Sequence, residues 1–181
     1  GADSGKREVN VCSWGEYIDR SLETQFEEAT GIEVNYTVVP SNEELYSQLQ
    51  TGGVNYDVIV PSDYMIARLI AEDRLQKLDY SKIPNYEKIG EQYKNLSFDP
   101  NNEYSVPYTW GTLGIIYNTT MVDEPITSWG AMFSDDYAGN VLLIDNSRDA
   151  FAMALYYLGY DVNTTDEAQI REAYELALIH I

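Results

Sequence analysis

Three short runs of β-branched and apolar residues, each followed at once by a stretch of helical period, leave the front of the chain little freedom of architecture. Glu8 to Trp14 (EVNVCSW) reads as a short buried strand; after it, Leu22, Phe26 and Ala29 share one helix face and Gly31 stops the helix. Ile32 to Val39 (IEVNYTVV) alternates as a second strand closed by Pro40. Ser41 then stands three residues before Glu44, the spacing of a capping box, and opens a helix that turns Leu45 and Leu49 inward until Gly52-Gly53. Asp57 to Val60 (DVIV) is a third strand, and Pro61-Ser62-Asp63 turns into a helix carrying Met65, Leu69 and Ile70. A βαβαβα order predicts a largely parallel sheet whose ligand face lies at the strands' carboxyl ends. The turns that open there are Trp14-Gly15-Glu16-Tyr17 and Ser62-Asp63-Tyr64.

From Asp79 to Asn102 the chain is polar and rich in Tyr, Asn and Pro, which predicts an irregular excursion rather than a linker. Beyond it a strand is expected at Leu113 to Tyr117 (LGIIY), a short helix at Trp129 to Phe133 and a buried strand at Val141 to Ile144 (VLLI). Arg148 to Leu158 reads as a helix with Phe151, Leu155 and Leu158 on one side, and Thr165 as the cap of a last helix running through Ile181. A second α/β unit starts in this stretch.

With 11 basic and 30 acidic residues the chain carries a formal charge of −19, which argues against a nucleic-acid partner. A field of that sign speeds encounter with cationic solutes and equally serves solubility in a salty exterior, so charge permits a polycation ligand without identifying one. A single cysteine, Cys12, and a single histidine, His180, rule out by count a disulfide framework, a Cys/His zinc site and Cys-His catalysis within this chain. No metal and no cofactor is expected. No stretch approaches the roughly 20 apolar residues of a membrane span. The opening Gly1 to Arg7 is small and polar, like the tether that follows the lipid-bearing cysteine of a bacterial lipoprotein.

Three clusters carry candidate chemistry. Trp14 and Tyr17 offer aromatic faces beside the Glu16 carboxylate, a combination suited to an alkylammonium through cation–π attraction and a charge-assisted hydrogen bond; core packing explains Trp14 equally well. Ser62 and Asp63 stand where a helix cap would, while Tyr64 reaches the same sheet edge as Trp14. Asp145-Asn146-Ser147-Arg148-Asp149 heads a helix, where capping and the helix dipole account for one acid but not readily for both Asp145 and Asp149.

Taken together, CSWGEYI (12–18), EATGIEV (28–34), DVIVPSDY (57–64), FDPNNEYSVPYTWG (98–111) and FAMAL with LGY (151–160) resemble, in order and spacing, the spermidine/putrescine-binding proteins of bacterial ABC transporters. The resemblance implies a type II periplasmic-binding-protein-like fold, two α/β lobes of parallel-rich sheets flanked by helices, with a polyamine held by aromatic walls and carboxylates. It implies a periplasmic or otherwise exported location, with or without a lipid anchor, and a membrane permease as partner. Carried over by position, Trp14 is an aromatic wall with Glu16 and Tyr17 beside it, Ser62 and Tyr64 contact the ligand from the same lobe, and Asp149 meets an ammonium from the second. The chain departs from the family at Gly15, where Thr is frequent, and at Asn146, where a carboxylate is frequent; Asp145 is the candidate substitute.

The resemblance also implies a truncated architecture: a polar tether at 1–7, a first lobe at 8–117 awaiting a returning segment, and the start of a second lobe at 118–181. Sheet edges left open in this way predict self-association of the isolated fragment. Two other readings stand beside this one. A binding protein for another solute would need different donors, since iron sites favour paired tyrosines and anion sites favour Arg or bare helix N-termini. A hydrolase using Asp145 and Asp149 as an acid/base pair would need one of the two with a raised pKa, and no nucleophile elbow, phosphate loop or cofactor fingerprint accompanies them.

Overall fold

The computed structural model describes Gly5 and residues 7–178, so most of the 1–7 tether, His180 and the last residues, 179–181, over which the final helix was expected to run lie outside the described residues. Two compact units follow one another along the chain, Gly1–Thr109 and Trp110–Ile181.

The first unit is built on strands β1 (Glu8–Ser13), β2 (Glu33–Val38) and β3 (Val58–Ile59), alternating with helices α1 (Ser21–Thr30), α2 (Asn42–Thr51) and α3 (Asp63–Ala71). All pairing is parallel, in the order β2-β1-β3, as the alternating pattern requires. Six residue pairs run from Glu8↔Glu33 to Ser13↔Val38, and Cys12 lies level with Ile59, so the three strands end along one edge.

The core beneath that edge is Cys12, Val39 and Leu45, at 0%, 3% and 1% exposure, with Trp14, Leu49, Tyr56 and Ile59 packed on it. Burial raises the Cys12 thiol above its ordinary pKa and shuts it away from reagents. Met65 and Leu69 anchor α3. The expected stops and caps form: Gly31 takes φ 67°, where other residues would be strained, and Ser41 Oγ accepts the Glu44 N–H at 3.1 Å. α1 behaves differently from its neighbours. None of its residues is buried, Leu22 and Phe26 face solvent, and it is tied to β2 by the Val34 N–H, which donates to Glu27 Oε1 at 2.8 Å.

The excursion after Leu78 folds around two buried polar residues rather than apolar ones, and its regular structure is three short 3-10 turns, Tyr80–Lys82, Pro84–Lys88 and Glu91–Tyr93. Asp99, 3% exposed, accepts the N–H groups of Glu103, Tyr104 and Ser105 and the Ser105 hydroxyl, all within 3.0 Å. Asn102, 1% exposed and at φ 48°, accepts from the Asn95 N–H at 2.7 Å and the Tyr86 hydroxyl at 3.0 Å. Tyr80 donates to the carbonyl of Asn102. Burial, with Tyr86 and Asp99 alongside, pushes its phenol pKa up to about 12, so that donor persists. The Leu78 N–H closes the loop on the Glu103 carbonyl at 2.8 Å.

In the second unit α4 (Ser147–Leu158) packs on α5 (Glu167–Ala177) around Ala154, Leu155, Ala173 and Ala177, with Phe133, Phe151 and Leu158 closing over them. Three expectations are corrected here. Residues 113–117 and 141–144 are not strands, and among the described residues no strand follows β3. A strand exists only where a neighbour completes its ladder. These segments find none, and Ile116 and Leu142 stand 100% and 92% exposed. The short helix expected at Trp129–Phe133 forms over those residues, as a 3-10 helix. The cap of α5 is Asp166, not Thr165: its Oδ1 accepts from the Ala168 and Gln169 N–H groups at 2.8 and 3.2 Å, the reach of a residue immediately before the first helical one.

Candidate ligand-binding site

In the first unit the chain leaves the central strand at Ser13 and places Trp14, half-buried, on the carboxyl edge of the sheet. Trp14 packs on the core below and leaves the rest of its surface open above. The loop it opens is pinned at both ends. Tyr36 of β2 donates its hydroxyl to the Trp14 carbonyl at 3.2 Å, and Arg20 lies over the Tyr36 ring, 4.6 Å from its centroid. Tyr17 stands beside Trp14 with ring centroids 6.1 Å apart and planes tilted by 55°. Glu16 between them is exposed. At Gly15 a β-carbon would meet nothing closer than Val38 Cγ1 at 3.9 Å, so space does not dictate the glycine.

A third ring completes this surface and was missed as a site residue by sequence reasoning. Tyr108, arriving from the far side of the 79–105 excursion, lies 6.5 Å from Tyr17 and donates its hydroxyl to the Tyr17 carbonyl. Its position in the sequence carries no local signal, because the contact spans 91 residues.

The loop after β3 is organised from α2. Ser62 occupies the cap position of α3 but makes no side-chain cap bond. Its Oγ accepts from Asn42 Nδ2 at 3.0 Å and its N–H donates to Asn42 Oδ1 at 2.9 Å, with Asn42 only 3% exposed. Next to Asn42, Glu43 accepts the Tyr64 hydroxyl at 3.0 Å. Asp63 is exposed and accepts the Tyr64 N–H at 2.7 Å. Sequence reasoning read the head of α2 as a cap alone, although it too follows a strand to this edge. Thus Trp14, Tyr17 and Ser62 belong to the turns that follow β1 and β3, two strands paired side by side, and Tyr64 stands in the first turn of α3 just beyond.

In the second unit Asn146 caps α4, its Oδ1 accepting from the Arg148 and Asp149 N–H groups at 2.9 and 3.4 Å. Asn146 is therefore occupied in starting the helix. Asp145 is exposed. Asp149, in the first turn, is half-buried, and among the described residues no donor is bonded to its carboxylate. Burial alone lifts its pKa above the usual carboxylate value. A half-buried carboxylate without a partner is chemically a receptor for a donor, most effectively a cationic one. Among the described residues no group of His, Cys, Asp and Glu is arranged to hold a metal ion, and no helix is long and apolar enough to cross a membrane.

Residues 22–177 match the pattern of a family described as bacterial extracellular solute-binding protein. The spermidine/putrescine-binding periplasmic protein of Salmonella typhimurium is 43% identical over 166 residues, 90% of this chain and 47% of the relative. A solved spermidine/putrescine ABC transporter substrate-binding protein of Streptococcus pneumoniae matches with TM-score 0.76 and 44% identity, over 94% of this chain and 53% of that one. The TpPotD lipoprotein of Treponema pallidum matches with TM-score 0.88 and 33% identity, over 96% of this chain and 55% of that one. The chain spans about half the length of these relatives.

Proposed function

The chain belongs to the bacterial extracellular solute-binding protein family, and on that premise we propose that the protein it forms part of captures a linear polyamine, spermidine or putrescine, and delivers it to an ABC importer. Its fold is the periplasmic-binding-protein α/β fold over about half of that fold's length, with parallel strands flanked by helices. The observation that carries the proposal is Asp149: a half-buried carboxylate, raised in pKa by burial, whose desolvation is offset only when a donor arrives.

The aromatic surface of Trp14, Tyr17 and Tyr108 with Glu16 beside it supports the same ligand chemistry, since cation–π attraction contributes roughly 0.5 to 2 kcal/mol per ring. The proposed contacts of the first unit are Trp14, Glu16, Tyr17, Ser62 and Tyr64; those of the second are Asp149 and, beside it, Asp145. Relatives that bind spermidine and putrescine under their own names point the same way. We further propose that the protein is a transport component rather than an enzyme and works outside the cytoplasmic membrane. Residues 1–7 act as a spacer, in keeping with a lipoprotein relative.

A thermal-shift and calorimetric screen of the full-length protein against spermidine, putrescine, a monoamine of matched length, lysine and maltose tests the reading. Spermidine or putrescine is expected to raise the melting temperature in proportion to the logarithm of its concentration over Kd. Equal affinity for the monoamine, or a shift only with lysine or maltose, overturns it.

A further inference from the structure

Tyr64 has one hydroxyl hydrogen and gives it to Glu43 Oε1 at 3.0 Å. The direction of that bond is fixed by chemistry, because an ionised carboxylate only accepts. Both partners sit on rigid supports: Leu45, in the same helix turn as Glu43, is 1% exposed, and Met65, next to Tyr64, is 2% exposed. Asn42, adjacent to Glu43, holds Ser62, the cap residue of the helix whose first turn carries Tyr64. With its hydrogen committed to Glu43, the Tyr64 phenol can offer any further group only acceptance.

We propose that Glu43 is a specificity-setting positioning residue: by holding the Tyr64 hydrogen it turns the phenol oxygen into an obligatory acceptor, which favours ligands that present N–H donors and disfavours ligands that present acceptors. An ammonium has three charged donors and no acceptor, whereas an acetylated amine keeps a single neutral N–H and adds a carbonyl acceptor. The inference rests on the polyamine reading above and adds to it the way one hydroxyl separates an amine from its amide. Glu43 needs no contact with the ligand for this. It acts through the direction of one hydrogen bond.

The test is a calorimetric titration of the full-length protein, wild type, Glu43→Gln, Tyr64→Phe and the double variant, with spermidine and with both monoacetylated spermidines. A glutamine amide can donate to the phenol oxygen and release its hydrogen outward. Glu43→Gln is therefore expected to weaken spermidine roughly three- to tenfold, the range of one hydrogen bond, and to narrow its preference over at least one acetylated form. In the Tyr64→Phe background the same change is expected to have no further effect. Glu43 is exposed, so the melting temperature is expected to stay put and to exclude misfolding as the cause.

Wild-type-like binding by Glu43→Gln overturns the inference. So does an undiminished effect in the Tyr64→Phe background, which would make Glu43 an independent charge, or an equal weakening of all three ligands, which would make it a structural support. A wild-type protein that binds no polyamine overturns the proposed function itself and the inference with it.

Discussion

Asn42 and Ser62, 20 residues apart in sequence, are joined through both ends of one buried carboxamide, Nδ2 to the serine Oγ at 3.0 Å and Oδ1 to the serine N–H at 2.9 Å. The pair couples the head of α2 to the turn after β3, so the geometry of Ser62 is set from another element rather than by its own helix. Asn42→Ala leaves a serine N–H and hydroxyl without their partners. It is expected to cost about 1 to 3 kcal/mol of folding stability by urea denaturation, and to weaken polyamine binding beyond what loss of folded protein explains. Unchanged affinity in the folded fraction would show that Ser62 needs no positioning.

Asp149→Asn is expected to act in opposite directions on binding and on stability. Affinity for spermidine falls by roughly 1.5 to 3 kcal/mol, the range of a charge-assisted hydrogen bond, while Asp145→Asn changes it less. The folded protein holds the Asp149 proton more tightly than the unfolded chain does. Ionising it therefore costs stability as pH rises from the ordinary carboxylate value to the raised one, and the cost is constant above. The variant is thus expected to melt higher than wild type at neutral pH and to converge with it in acid. A variant that melts lower at pH 7 would mean that the carboxylate has a stabilising partner.

Removing Trp14 and removing Tyr108 separate the two duties of the aromatic surface. Trp14→Ala takes a ring off the core and off the exposed face, and both stability and binding are expected to drop. Tyr108→Ala takes away a ring that is 60% exposed and the hydroxyl that holds the Tyr17 carbonyl. Its main effect is expected on affinity, by about 1 kcal/mol through the freed Tyr17 loop. Equal stability losses in the two would contradict the division of labour.

The 181-residue chain alone is expected to bind spermidine weakly and in a salt-sensitive way, because ion pairs left in water are worth only about 0 to 1 kcal/mol each. It is also expected to self-associate in sedimentation experiments, through apolar stretches such as those around Ile116 and Leu142. One-to-one binding that survives physiological salt, where the Debye length is about 8 Å, would show a site complete within these residues.

What could be read from sequence was what is local or periodic. The βαβαβα order, the stops at Gly31 and Gly52 and the Ser41 cap each follow from residues a few places apart, and each forms. The apolar runs at 113–117 and 141–144 have strand composition, but a strand is a property of two segments and composition describes one. The same limit hid Asn42 and Glu43: their partners lie 20 and 21 residues away, at the head of another helix. The cap of α5 was misplaced by a single residue because Thr165 and Asp166 both have capping side chains, and only the start of the helix at Glu167 decides between them.

The excursion that delivers Tyr108 is held by Asp99 and Asn102 through hydrogen bonds, with little apolar surface hidden in it. Apolar burial gives unfolding its large positive heat capacity and loses strength on cooling, whereas exposing polar groups lowers the heat capacity. The hold of this segment on Tyr108 accordingly varies less with temperature than the packing of the sheet core does. In the cold, where apolar cohesion fades first, the third ring of the aromatic surface keeps its tether.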